Sequence, residues 1–222
     1  MTVQLFPDPD ALARHAARWL SGLARTKPGR FAVALSGGST PRATYEHLAR
    51  EDFPWERAQW FFGDERFVPP DDAQSNYRMA REAMLWRAPE KNVYPVQTLG
   101  VTPETAALAY QTELNALRGD GPLFDVVLLG LGPDGHTASL FPDSPMLEER
   151  TALTGVVKGL GQTRVTLTYP ALEDSDHVVF LVTGSEKRDV LRRVLAGDES
   201  LPAARVKPKG ELLFFVDSQA AP

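Results

Sequence analysis

The sequence predicts an open, mostly parallel, Rossmann-like α/β sheet with helices on both faces. Strand-length apolar runs alternate with helical spacing along almost the whole chain of 222 residues, the pattern of strands joined by crossover helices. The run Phe124–Leu129 is apolar almost without interruption, as expected for a parallel strand covered on both faces. In such sheets ligands bind beyond the carboxyl ends of the strands. Three glycine- or charge-rich loops follow predicted strands there, at residues 36–41, 63–70 and 130–137.

Asp8 and Pro9 supply an N-cap and a first helical residue, and Leu12, Ala16, Trp19, Leu20 and Leu23 mark one helix face. Phe31–Leu35 reads as a strand. Thr40 as N-cap with Pro41 at the first position then starts a helix running to about Arg50. Gln59–Phe62 reads as a strand, Ser75–Trp86 and Pro103–Leu117 as helices, with a short extended piece near Val93–Val96 between them. Beyond the Phe124 strand, Arg164–Thr168 alternates, Val178–Val182 is a buried strand, Ser185–Leu195 is helical and Leu212–Val216 is a last strand. No repeat or linker interrupts the series, so residues 1–222 are expected to form a single α/β catalytic domain.

Composition narrows the chemistry. A hydrophobic share of 43% with 24% charged residues is ordinary for a packed globular chain. There is no cysteine, which excludes disulfides, thiolate metal sites and a cysteine nucleophile. A net charge of −5 argues against a general nucleic-acid binder. The N-terminus lacks a signal-peptide pattern, and the longest apolar runs are far shorter than the ~20 residues of a membrane span. A cytoplasmic protein without membrane or nucleic-acid partners is expected.

The loop Ser36-Gly37-Gly38-Ser39-Thr40-Pro41 lies between a strand and a helix. Glycines permit close backbone approach, and free N–H groups at a helix start suit a phosphate; a capped tight turn is the alternative. It is not a Walker A loop. A helix terminus supplies only ~0.5 of a charge, whereas a phosphomonoester carries about −1.5 to −2. A phosphate here therefore needs an Arg or Lys from elsewhere. In Gly63-Asp64-Glu65-Arg66, adjacent side chains of an extended segment point to opposite sides, so Asp64 and Glu65 do not form an acid–base pair; a solvated turn is the alternative.

The third loop, Gly130-Leu131-Gly132-Pro133-Asp134-Gly135-His136-Thr137, contains Gly-x-Gly-x-x-Gly after a strand. Pro142 and Pro145 interrupt the helix that a dinucleotide site requires, so no nicotinamide cofactor is expected. The loop instead holds His136 beside Asp134, and histidine can take and return a proton near neutrality. His15, His47 and His177 read as structural or solvated. There is no Gly-x-Ser-x-Gly elbow and no His-Glu-x-x-His cluster, so neither a serine nucleophile of that type nor a catalytic metal is indicated. Attack by an activated water is the simplest hydrolytic scheme left.

Taken together, Ser36–Pro41, Trp60–Arg66, Ser75-Asn76, Gly130–Pro142 and Arg164–Leu172 resemble the glucosamine-6-phosphate isomerase/6-phosphogluconolactonase family, and its lactonase branch in particular. The resemblance runs from about residue 5 to 217, and its specific part is the Asp134–Gly135–His136 loop with the residues that follow. It implies a sheet of the deaminase and ribose-isomerase type, no cofactor or metal, and hydrolysis of 6-phospho-D-glucono-1,5-lactone, a carboxylic ester hydrolase reaction of the pentose phosphate pathway. A monomer or weak homo-oligomer is expected.

By this resemblance His136 is the general base and Asp134 orients it. Ser36, Gly37, Gly38, Ser39 and Thr40 hold the phosphate; Arg66, Arg164 and Lys187 are the candidate cations; Asp64, Gly132 and Gly135 are further candidates for binding the substrate. The related deaminases carry a glutamate five residues after the histidine, where this chain has Phe141, which cannot carry a proton. A deaminase-type aldose–ketose isomerase and a non-catalytic sugar-phosphate sensor are the alternatives. The sensor lacks room for a DNA-binding module before residue 30.

Overall fold

The computed structural model describes residues 1–222, the side chain of Leu117 excepted. In chain order the main elements are β1 (Thr2–Phe6), α1 (Pro9–Thr26), β2 (Phe31–Leu35), α2 (Ser39–Leu48), β3 (Ala58–Phe62), β4 (Asp64–Arg66), α3 (Asn76–Ala83), α4 (Pro103–Leu117), β5 (Phe124–Leu129), β6 (Thr154–Gly159), β7 (Gln162–Leu167), α5 (Tyr169–Glu173), β8 (Ser175–Val182), α6 (Arg188–Leu195) and β9 (Glu211–Asp217). Six strands form one parallel sheet in the order β1-β9-β8-β5-β2-β3. The predicted α/β class is therefore observed.

Alternate residues of the strands feed two cores, which is why the central strands are apolar throughout. Val33, Val126, Leu128, Val179 and Phe215 pack against α1, α2 and α3. Ala34, Val127, Leu129, Phe180 and Phe214 pack against α4, α5 and α6 on the opposite face. Burying one such Val, Leu or Phe side chain contributes roughly 1.5–3 kcal/mol, so a polar residue at any of these strand positions would break one layer.

Several local readings differ. β1 was not expected: it is a five-residue edge strand whose side chains are mostly exposed. Helix α2 starts two residues early, with Gly38 rather than Thr40 at the cap; the Thr40 hydroxyl bonds Thr183 (2.6 Å) instead of its own helix. Asp8 and Ser75 cap α1 and α3 through their side chains as expected. The helix from Ser75 ends at Ala83, and residues 185–187 form a single 3-10 turn before α6.

The larger difference is a second sheet. β4, β7 and β6 form a three-stranded antiparallel sheet, so Arg164–Leu167 lies outside the parallel sheet. Gly63 joins the two: its N–H donates to Leu35 O (2.7 Å) and its carbonyl accepts from Leu167 N (2.8 Å). The small sheet thus sits against the carboxyl ends of β2 and β3. The order reverses at β2, with β3 on one side and β5 on the other. The loops leaving β2 and β5 therefore flank the crevice where ligands of such sheets bind.

Candidate active site

A cavity of about 220 Å³ opens at this crevice, lined by Ser36, Gly37 and Gly38 after β2, Asp64 and Arg66 of β4, Asn76, Gly132 and His136 after β5, Arg164 of β7 and Lys187 after β8. A second basin of about 570 Å³ adjoins it, shares Gly38, Arg66, Asn76 and Arg164, and adds Ser39 and Arg42. Of the predicted residues, Ser39, Thr40, Asp134 and Gly135 do not line the inner cavity, Ser39 belonging to the outer basin. Thr40 is turned to Thr183. Asp134 stands behind His136, and Gly135 reverses the loop while its carbonyl accepts from Ala203 N (2.9 Å).

His136 is built in by its own loop. Its Nδ1 lies 2.5 Å from Asp134 Oδ1, and its backbone N–H donates to the same oxygen at 3.2 Å. Burial alone would raise the Asp134 carboxyl, but the hydrogen bonds from His136 outweigh it and hold the group below the usual range. An ionised carboxylate accepts only, so Nδ1 carries a proton, and the neutral imidazole has its lone pair on Nε2. The loop closes by Gly132 N donating to the His136 carbonyl (2.8 Å). A Cβ at residue 132 would fall 2.0 Å from Nδ1, so the imidazole occupies the space a side chain would need. Phe141 packs its ring on the far side, with centroids 4.7 Å apart.

The second cluster is electrostatic. Asp64 and Glu65 point to opposite sides, as the extended segment predicted. Asp64 Oδ2 meets Arg164 Nη1 (3.4 Å) and accepts from Ser139 Oγ (2.5 Å). Glu65 turns to the start of α3, accepting from Ser75 Oγ, Asn76 N and Tyr77 N. Burial pushes the Glu65 carboxyl up, against these donors. Arg164 is 6% exposed; desolvation lowers its pKa, the carboxylate of Asp64 opposing. Its guanidinium lies over the Phe141 ring at 5.6 Å.

Arg66 and Lys187 differ from Arg164. Arg66 donates to the Asn76 amide oxygen and the Gln74 carbonyl, and no carboxylate pairs with Arg66 or Lys187 among the described residues. Two polar atoms of the lining, Ser36 Oγ and Arg164 Nε, are buried without a hydrogen-bond partner, which for native buried groups marks a place a ligand can complete. Asn76, Ser139 and Phe141 were not singled out as site residues from sequence. All three lie in segments that carry the family resemblance, Ser75-Asn76 and Gly130–Pro142, which marked the segments without giving these residues a role.

An α/β sheet with a histidine–aspartate loop and cations without carboxylate partners at its switch point is the arrangement of an enzyme that acts on an anionic substrate. The sequence pattern of the glucosamine-6-phosphate isomerases/6-phosphogluconolactonase family matches residues 7–215, and the chain belongs to that family. It is 43% identical to the 6-phosphogluconolactonase of Nostoc sp., over 99% of this chain and 96% of that protein. It is 40% identical to the Rattus norvegicus 6-phosphogluconolactonase over 95% of this chain and 85% of that one. The crystal structure of the Thermotoga maritima 6-phosphogluconolactonase superposes with a TM-score of 0.88 at 35% identity, covering 98% of this chain and 99% of that one. A monomeric glucosamine-6-phosphate deaminase shares the fold, with a TM-score of 0.87 at 21% identity over 99% and 98% of the two chains.

Proposed function

We propose that this chain hydrolyses 6-phospho-D-glucono-1,5-lactone to 6-phosphogluconate with water as the nucleophile and His136 as the base. The observation that carries the reading is His136, oriented by Asp134, in one cavity with two cations that have no carboxylate partner. The relatives' names supply the substrate. In this reading Arg66, Lys187 and the N–H groups of residues 37–40 take the phosphate, adding full charges to the ~0.5 of the helix start. Arg164 shares the Phe141 ring with the imidazole.

His136 Nε2 removes a proton from water as its oxygen bonds to C1 of the lactone. The carbonyl pair moves onto oxygen, and Arg164 Nε, buried and unpartnered, is the donor assigned to that oxyanion. Gly132 N and Gly135 N are bonded within the loop, to the His136 and Gly132 carbonyls, and are not free for this role. When the carbonyl re-forms, the bond from C1 to the ring oxygen breaks and Nε2–H returns its proton to that oxygen. The new carboxylic acid then releases a proton to solvent. Phosphate binding fixes C1 relative to the base, so remote contacts serve orientation.

Proton release on freshly generated lactone, against a blank without protein, tests this directly. Release well above the blank, with no ammonia or fructose 6-phosphate formed from glucosamine 6-phosphate, is the expected result. Turnover of the amino sugar instead would replace the lactonase by the deaminase reading.

A further inference from the structure

Asn76 is 2% exposed yet lines both basins. Its Nδ2 donates to the Asp64 carbonyl (2.8 Å) and to Asp64 Oδ1 (3.2 Å), and its Oδ1 accepts from the Arg66 guanidinium. These partners fix which way the amide points, since a carbonyl can only accept and a guanidinium can only donate. The backbone N–H is held by Glu65 Oε1 at 2.8 Å. The loop after β2 rests on the same amide: a Cβ at Gly37 would fall 2.0 Å from Asn76 Oδ1.

Three charged side chains crowd this point. The β4–β7 register sets Arg66 opposite Arg164, and Asp64, which lines the same cavity, pairs with Arg164. Both Asp64 oxygens are engaged, Oδ2 with Arg164 and Ser139 and Oδ1 with Asn76. Glu65 faces away toward α3, and Arg42 of α2 lines the outer basin paired with Glu46. Arg66 needs an acceptor to be held in place. A carboxylate there would cancel the charge it presents; an amide oxygen holds the guanidinium and leaves its charge intact.

We propose that Asn76 is a specificity-determining positioning residue: a neutral acceptor that fixes Arg66 while reserving its positive charge for the dianionic group of the substrate. The proposal rests on the reading that Arg66 meets the phosphate. It explains why a buried amide, rather than an acid, occupies the gap between an acid and a base.

The test measures binding of 6-phospho-D-gluconate by calorimetry to the full chain and to Arg66→Ala, Asn76→Asp and Asn76→Ala, with melting curves for each. Affinities are compared with the unaltered chain at the same pH, near 6 and near 8, so that titration of the ligand cancels. Asn76→Asp is nearly isosteric, and its carboxyl would be favoured as an anion by Arg66 and as an acid by Asp64. The expected result is a loss of at least roughly tenfold in affinity near pH 8 for Asn76→Asp, larger than for Asn76→Ala and shrinking near pH 6. Affinity within twofold of the unaltered chain overturns the proposal, as does an equal, pH-independent loss in both variants, which would mark a merely structural role. If Asn76→Asp fails to fold, Asn76→Ala decides: weaker binding with kcat little changed supports the role, and unchanged affinity overturns it. An Arg66→Ala chain with full affinity overturns the underlying phosphate assignment instead, and the two failures are thereby distinguished.

Discussion

Arg66 of β4 lies opposite Arg164 of β7 in the antiparallel register, and only Arg164 has a carboxylate partner. Like charges directly opposite one another on a sheet are unfavourable. Asp64 offsets one of them, and an anion bound in the cavity would offset the other. Arg164 is thus paired within the protein, and Arg66 keeps an unopposed charge at the cavity.

This division predicts different consequences for removing each cation. Arg66→Ala and Lys187→Ala should raise KM with the melting temperature nearly unchanged, since neither breaks an ion pair. Arg164→Ala leaves the buried Asp64 carboxylate without its partner, so it should destabilise the fold by about 3 kcal/mol as well as lower kcat. Adding Asp64→Asn to Arg164→Ala should restore part of the stability and none of the turnover. Thermal melts and steady-state kinetics on the four variants check this.

Gly132 touches the imidazole more closely than any side chain allows. Gly132→Ala forces His136 off its position, because the added Cβ would lie 2.0 Å from Nδ1. A displacement of this kind should lower kcat by about 10²-fold while 6-phosphogluconate binds as before. Equal loss of kcat and of affinity would mean that the loop had collapsed rather than the base moved.

The Asp134 carboxyl is held below its usual value by His136, burial opposing. A group with a depressed folded pKa contributes stability that is full above the unfolded value and is lost as pH falls through the folded one. The melting-temperature difference between the unaltered chain and Asp134→Asn should therefore be constant above about pH 4 and vanish on further acidification. The same variant should lose kcat by at least roughly tenfold at neutral pH, because an amide no longer selects the Nδ1–H form of the imidazole.

The central strands were legible because Phe31–Leu35, Phe124–Leu129 and Val178–Val182 are buried on both faces, so burial itself writes their composition. β1 and β4 were not. β1 has little to bury, and β4 is the tripeptide Asp64–Arg66, whose charges read as a turn although Asp64 and Glu65 are buried among hydrogen-bond partners. Within the site, the loops carrying Ser36 and His136 follow strands and could be placed by topology. Asn76 and Ser139 lie in recognisable motifs, but their contacts with Asp64 cross 12 and 75 residues of chain, so their place in the site could not be read locally. Thr40 fits the sequence signature of a cap, yet its hydroxyl is claimed by Thr183, 143 residues away.

The central claim is that His136 transfers the proton and does not merely bind. Single-turnover proton release by His136→Ala, paired with calorimetric binding of 6-phosphogluconate, tests it most directly. A fall in the chemical rate of about 10²- to 10⁴-fold with affinity within twofold of the unaltered chain is the predicted result. A rate close to that of the unaltered chain, with the same affinity, would contradict it.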